Sequence, residues 1–325
     1  MSRLALLFCL LTTTGCLSYR IHAPRTSSLR YEGAPAPYQV QLADARSADD
    51  EFSTGKLTIR LKFDGEQSEL AYLQHSVAAE LAARGIVEPA GQAAERARLQ
   101  GQVRQFGVRN RRVSAFSPMV TFTRLSVDFP EQGRTVRIAA YSKQTKTPRW
   151  SMNELEDPCF NRPLHQVVGE LAAKVNRRFI RAKASQAEVA RLAARATQVQ
   201  GDALLQVVNE LGWSNHPDAL EPLLVLIKNE SEDVRGTALG ALGTLGLPQS
   251  FETLRLVHTS GGTHTDRLMA LKSIGDLGTD EALAYLRNVQ QHPGEDQDET
   301  LEITSLYLDG LPAQSGAPEA LQAKR

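Results

Sequence analysis

The C-terminal part of this chain repeats itself, and no other feature of its 325 residues limits the fold as strongly. Asp233-Val234-Arg235-Gly236-Thr237-Ala238-Leu239-Gly240-Ala241-Leu242-Gly243-Thr244-Leu245-Gly246 lines up with Thr265-Asp266-Arg267-Leu268-Met269-Ala270-Leu271-Lys272-Ser273-Ile274-Gly275-Asp276-Leu277-Gly278. The intervening segments Leu220–Leu223, Phe251–Leu254 and Leu283–Leu286 also correspond, and Leu211-Gly212, Leu245-Gly246 and Leu277-Gly278 read as three helix ends. Self-similarity at a period of about thirty residues means stacked helix pairs. One pair carries an apolar stripe on both sides and cannot bury it alone; stacking buries both. Ala238, Ala241 and Ala270 allow close approach of inner helices, and Leu242 and Ile274 fall between neighbouring units.

The run Asp-Val-Arg…Ala-Leu-Gly-x-Leu-Gly, followed by a second amphipathic helix, resembles HEAT repeats, specifically the short type also found in phycobilisome bilin lyases. The likeness covers about Asp202 to Leu308. It implies an all-α solenoid over 185–310 that offers its inner helices to a protein partner, with Arg235, Thr237, Lys272 and Asp276 projecting from them. Glu299–Leu308 reads as a terminal capping helix and 311–325 as a loose tail.

Upstream, the periodicity is mixed. Leu57, Ile59, Leu61 and Phe63 alternate with polar residues, as in a half-buried strand; Tyr38–Leu42 reads as an earlier one. Leu70, Leu73, Val77 and Leu81 form a helical stripe closed by Gly85. Leu99–Arg104 and Leu125–Phe129 alternate again, a turn falls at Pro130–Gly133, and Val136–Ala140 returns, with Trp150 on a last short strand. Pro163 opens a helix striped by Leu164, Val168, Leu171, Val175 and Phe179. Strands segregated from two helices predict an α+β sandwich over 56–183, with a mainly antiparallel sheet. Element order gives it a loose resemblance to the small domains of envelope lipoproteins, including auxiliary subunits of lipid and polysaccharide export systems. Ser185-Gln186-Ala187-Glu188 has the form of a capping box, so Ser185–Arg325 is expected to fold independently; one helix from Leu164 to Val199 is the alternative.

The chain starts Met1-Ser2-Arg3, then an apolar run from Leu4 to Leu11, then Thr12-Thr13-Thr14-Gly15-Cys16. One cation, an apolar core too short to span a bilayer and small residues before a cleavage point make residues 1–15 a secretory signal. With a cysteine directly after them, the stretch resembles a bacterial lipoprotein signal, although Thr13 stands where Leu is usual. The resemblance implies lipidation of Cys16, which becomes the first mature residue; an ordinary secretory signal with an incidental Cys16 is the other reading. Residues 16–55, rich in Pro, Ser and Asp, then form a flexible tether. Leu17 stands where an aspartate commonly retains lipoproteins at the inner membrane, so the same resemblance implies, as an expectation, the periplasmic face of the outer membrane.

Lysine plus arginine balances aspartate plus glutamate at 37 each, so no net field favours nucleic acid or an anionic membrane. Beyond Cys9 and Cys16 only Cys159 remains, with His165 six residues on as a conceivable activating base; burial beside Phe160 is the plainer reading. His258 and His264 flank Gly261-Gly262 without a third ligand at metal-site spacing. Arg109, Arg111 and Arg112 make the densest basic patch, fitting lipid headgroups, an acidic partner or a solvated hairpin loop. No phosphate loop, zinc-protease or nucleophile-elbow motif occurs. The expectation is a non-enzymatic, lipid-anchored envelope scaffold that binds a protein partner and needs no cofactor, metal or small-molecule substrate. An auxiliary component of an export machine and a Cys159-dependent hydrolase or lyase are the alternatives. Cys16→Ser should leave the chain uncleaved or soluble while Cys9→Ser changes little, as read by membrane fractionation and precursor size.

Overall fold

The computed structural model describes residues 17–33, 38–87, 97–112, 117–294 and 297–311. The expected signal and lipidation site, within residues 1–16, and residues 312–325 of the expected tail lie outside the described residues. Two domains follow one another: a sheet-rich α+β domain and an all-α array.

Three long strands, β5 (Ala97–Arg111), β6 (Met119–Glu131) and β7 (Arg134–Lys146), form an antiparallel meander. Its upstream edge is parallel: β2 (Tyr38–Asp44) and β3 (Ser53–Gly55) both pair with β5. A second small parallel sheet joins β1 (Leu17–Ile21) to β4 (Ile59–Phe63). Helices α1 (Glu69–Ala83) and α2 (Arg162–Val175) pack together against the large sheet. The Gln74 side chain donates to Val40 O at 2.8 Å and accepts from Leu42 N at 2.7 Å, so it satisfies the outer edge of β2 as a neighbouring strand would.

The expected tether is instead part of the fold. β1 starts at Leu17, and Tyr19, Ile21, Leu29 and Tyr31 are buried in the core. Tyr19 stacks on Phe160 with ring centroids 4.9 Å apart. Prolines and serines suggested a loose segment, but four large apolar side chains among them supply the burial that holds it. The strand expected at Leu99–Arg104 also runs on to Arg111. Its polar end is satisfied because buried Asn110 donates to Thr54 O and Leu57 O and accepts from Leu57 N. Trp150 is on no strand; it lies in a loop, 93% exposed.

The array begins after Arg181, whose left-handed backbone (φ 66°) ends the preceding helix and excludes one continuous helix to Val199. Ser185 accepts from Glu188 N at 3.0 Å, whereas the Glu188 carboxylate turns to Arg191, so only half of the capping box forms. Helix pairs follow: α3 (Gln186–Ala196) with α4 (Gly201–Trp213), α5 (Leu220–Leu226) with α6 (Glu232–Leu245), α7 (Phe251–Ser260) with α8 (His264–Leu277), and α9 (Asp280–Gln291) with α10 (Gln297–Leu308). The even-numbered helices stack as an inner layer, and Leu242 and Ile274 are fully buried within it.

Gly246 and Gly278 end α6 and α8 with φ of 69° and 63°, a conformation that suits glycine. Leu211-Gly212 does not match them; it matches Leu242-Gly243 and Ile274-Gly275, inside the helices. A Cβ on Gly212 would lie 2.7 Å from Ala241 Cα, one on Gly243 2.6 Å from Ser273 Cα, and one on Gly275 2.7 Å from the Tyr307 ring. Each inner helix is thus approached through a glycine by the next. Alanine is the better helix former by about 1 kcal/mol, but backbone cannot retreat as a flexible side chain can. Gly243→Ala should therefore destabilise by about 1–3 kcal/mol, the usual cost of overpacking, read as a lower urea midpoint; a stabilised variant would contradict the ladder.

Candidate functional site

The inner layer of the array is not open. It closes around α2, whose residues from Leu164 to Val175 are almost all buried. Two charges on that helix face two on α8. Lys174 Nζ donates to Ala139 O of β7 at 2.6 Å and also bonds Glu170 and Asp276. Lys272 Nζ bonds Glu170 and forms an ion pair with Asp276, 2.6 Å from Oδ2, and the Tyr307 hydroxyl of α10 donates to Asp276. All four ionic groups are buried and their formal charges cancel. Burial alone would raise the Asp276 carboxyl; Lys174 and Lys272 outweigh it and hold it below the ordinary carboxylate range. Beside this cluster Arg177 donates to Gly243 O, Thr244 O and Asp276 O at 2.6–2.9 Å, so one guanidinium caps the C-terminal carbonyls of two helices of the array.

Two further contacts seal the domains together. On one side the buried Glu80–Arg84 pair (2.7 Å) reaches Gly169 O and places Arg84 over the Trp213 ring at 4.6 Å. Ser27 N donates to Glu80, and Glu210 of α4 accepts from the Ser27 and Ser28 hydroxyls at 3.2 and 3.1 Å. On the other side α10 crosses the remaining face of the sheet, where Glu302 meets Arg109 and Arg124, and Glu299 meets Lys143 at 2.8 Å and His264 at 2.9 Å.

This arrangement relocates most of the residues the sequence singled out. Lys272 and Asp276 do project from an inner helix, but into the chain's own N-terminal domain, so they are not a surface for a partner. Arg235 is held by Asp266 at 3.1 Å and by Asn229 O and Glu230 O, and the Thr237 hydroxyl donates to Asp233 O. The three arginines do not act as one patch: Arg109 lies over the Phe122 ring at 4.2 Å, Arg112 donates to Met152 Sδ, and Arg111 is exposed. The expected independent unit over 185–325 shares one core with α2 through its inner layer. The residues missed were Glu170, Lys174, Arg177 and Tyr307. In sequence Glu170 and Lys174 fall with Arg162 and Gln166 on one polar stripe of an amphipathic helix, so nothing local marked that face as buried.

Cys159 is fully buried, and burial pushes its thiol up to about 11, leaving little thiolate. His165 points elsewhere, with Nε2 3.2 Å from His22 O, and burial lowers its imidazole. His258 lies 2.7 Å from the Tyr285 hydroxyl and His264 on Glu299, so the two share no ligand site. Among the described residues no cluster of three His, Cys, Asp or Glu side chains could hold a metal ion, and no helix is long and apolar enough to cross a membrane. A cleft of about 720 Å³ beside β2 is lined by Gln39, Gln41, Gln74, Gln100 and Gln102; Gln74 is already committed to the strand edge.

Residues 189–261, spanning α3 to α7, match the HEAT repeat family. The C-terminal array carries HEAT repeats. A HEAT array suggests a scaffold for protein–protein interaction. No curated protein matches the chain. A solved structure described as an uncharacterized protein aligns with 50% of this chain and 97% of its own at 14% identity, with a TM-score of 0.28. Similarity at that level carries no argument.

The buried cluster yields a test. Lys272→Met leaves Glu170 and Asp276 to share Lys174 out of water, and breaking a buried ion pair from one side costs about 3–5 kcal/mol. Adding Glu170→Leu should recover part of that loss, measured by urea unfolding as a double-mutant cycle. Asp276 and Glu299 titrate below their ordinary range, so their stabilisation is complete above the unfolded carboxylate values and is lost as pH falls through the folded ones. Acid should therefore destabilise the intact chain more steeply than the double variant.

Proposed function

We propose that this protein is a lipid-anchored envelope scaffold whose HEAT array binds a protein partner on its outer helices. The observation that carries the reading is the distribution of free apolar surface. The inner layer, the usual docking face of such arrays, is filled by α2. On the outer layer Val225 of α5 is 70% exposed and Leu256 of α7 is 62% exposed, and each follows by two residues the buried leucine, Leu223 or Leu254, of its repeat. Two large aliphatic side chains at equivalent positions of successive repeats, each with exposed charged residues on its own helix (Glu221; Glu252 and Arg255), suit an interface with apolar contacts and a polar rim. The lipoprotein-like start at Cys16 supports the anchor, and the balanced charge supports a protein rather than a nucleic acid.

Photo-crosslinking side chains at positions 225 and 256 should each capture the same partner in intact cells, and one at exposed Glu66 should not. Val225→Asp with Leu256→Asp should weaken binding about thirtyfold or more, as loss of a hot spot does, without changing the melting temperature. Equal capture by the double variant would overturn the outer-face reading.

A further inference from the structure

Trp150 belongs neither to the core nor to the array, yet it is not on a loose segment. The Glu154 carboxylate accepts backbone N–H groups from Arg149, Trp150 and Ser151 at 2.8–3.0 Å, and the Ser151 hydroxyl caps the following turn. The loop is fixed, and it presents an indole 93% exposed. A lone exposed apolar side chain calls for nothing by itself, so whether this fixed ring has a partner, and which, rests on what surrounds it.

The neighbours say which. Lys146, Arg149 and Arg111 are exposed around it; Arg111 is in register with Val120, which faces Thr145 on its other side, so all three lie at one end of the sheet. The carboxylates there are engaged: Glu154 with the loop backbone, Glu156 with Arg20 N and Asp157 with Arg162. The chain enters the fold at this same end. The Tyr19 hydroxyl donates to Met152 O at 2.9 Å; Trp150 is two residues before Met152, and Leu17, which follows Cys16, is two residues before Tyr19.

We infer that the Trp150 loop seats the N-terminal domain on an anionic phospholipid surface, with the indole at the headgroup level and Lys146, Arg149 and Arg111 facing the phosphates. This rests on the reading of Cys16 as the lipidated residue. Indoles favour the bilayer interface because the ring is apolar and its N–H still finds a partner. Each cation near an anionic surface favours association by about fivefold, and with no tether the acyl chains would bring this end to the bilayer before any other.

The test uses the full-length protein reconstituted in phosphatidylethanolamine–phosphatidylglycerol vesicles with brominated chains. The chain has two tryptophans, and Trp213 is packed under Arg84, so Trp150 reports the surface. The expected result is a blue-shifted, bromine-quenched emission that is lost in Trp150→Ser and falls when phosphatidylcholine replaces phosphatidylglycerol. Absent quenching, quenching unchanged in Trp150→Ser, or indifference to headgroup charge would each overturn the inference. Vesicle flotation of Cys16→Ser reports the acyl anchor separately. A chain that floats through Cys16 with Trp150 unquenched refutes the seat and keeps the anchor; quenching with flotation indifferent to Cys16→Ser keeps the seat and refutes the anchor.

Discussion

The structure depends on four charges removed from water. Glu170 and Lys174 on α2, Lys272 and Asp276 on α8, bridge the two domains in a place where none of the four could remain ionised alone. Their net worth against an apolar core of the same volume is small, because desolvation consumes most of the Coulomb gain. What they supply is alignment. An apolar helix can slide along an apolar groove at little cost; one carrying a cation that must meet a carboxylate on α8 and the Ala139 carbonyl of β7 cannot.

From that alignment the rest of the interface follows. Arg177 reaches the ends of α6 and α8 together only when α2 is in this register. The contacts through Glu80, Arg84 and Glu210 close one flank, and α10 closes the other through Glu299 and Glu302. The face that a HEAT array normally presents to others is used internally, which moves the search for a partner to Val225 and Leu256.

Secondary structure was largely legible in the sequence because the repeats and the alternating strands each leave a periodic trace. The Leu-Gly pairs illustrate the limit. Gly212 and Gly246 look alike in sequence, but one relieves crowding against Ala241 and the other adopts a left-handed backbone, and only the helix end distinguishes them. The segment from Leu17 to Tyr31 read as tether because its apolar residues are spaced by contacts with distant elements rather than by a local period. Lys272 and Asp276 were placed on the correct helix face, but a single repeat cannot reveal that a helix from the other domain already lies there.

The filled inner face also bears on mechanics. Solenoids of this kind are elastic when their groove is empty, since each repeat turns slightly on the next and the small rotations add along the stack. Here α2 acts as a mandrel: the curvature of α4, α6 and α8 is set by what they are wound around. The array is therefore a rigid gauge rather than a spring, and the separation between Val225 and Leu256 is fixed before anything meets them. A partner docking there as proposed would pay no cost for reshaping the array if its spacing matched, and could not bend the array to fit if it did not.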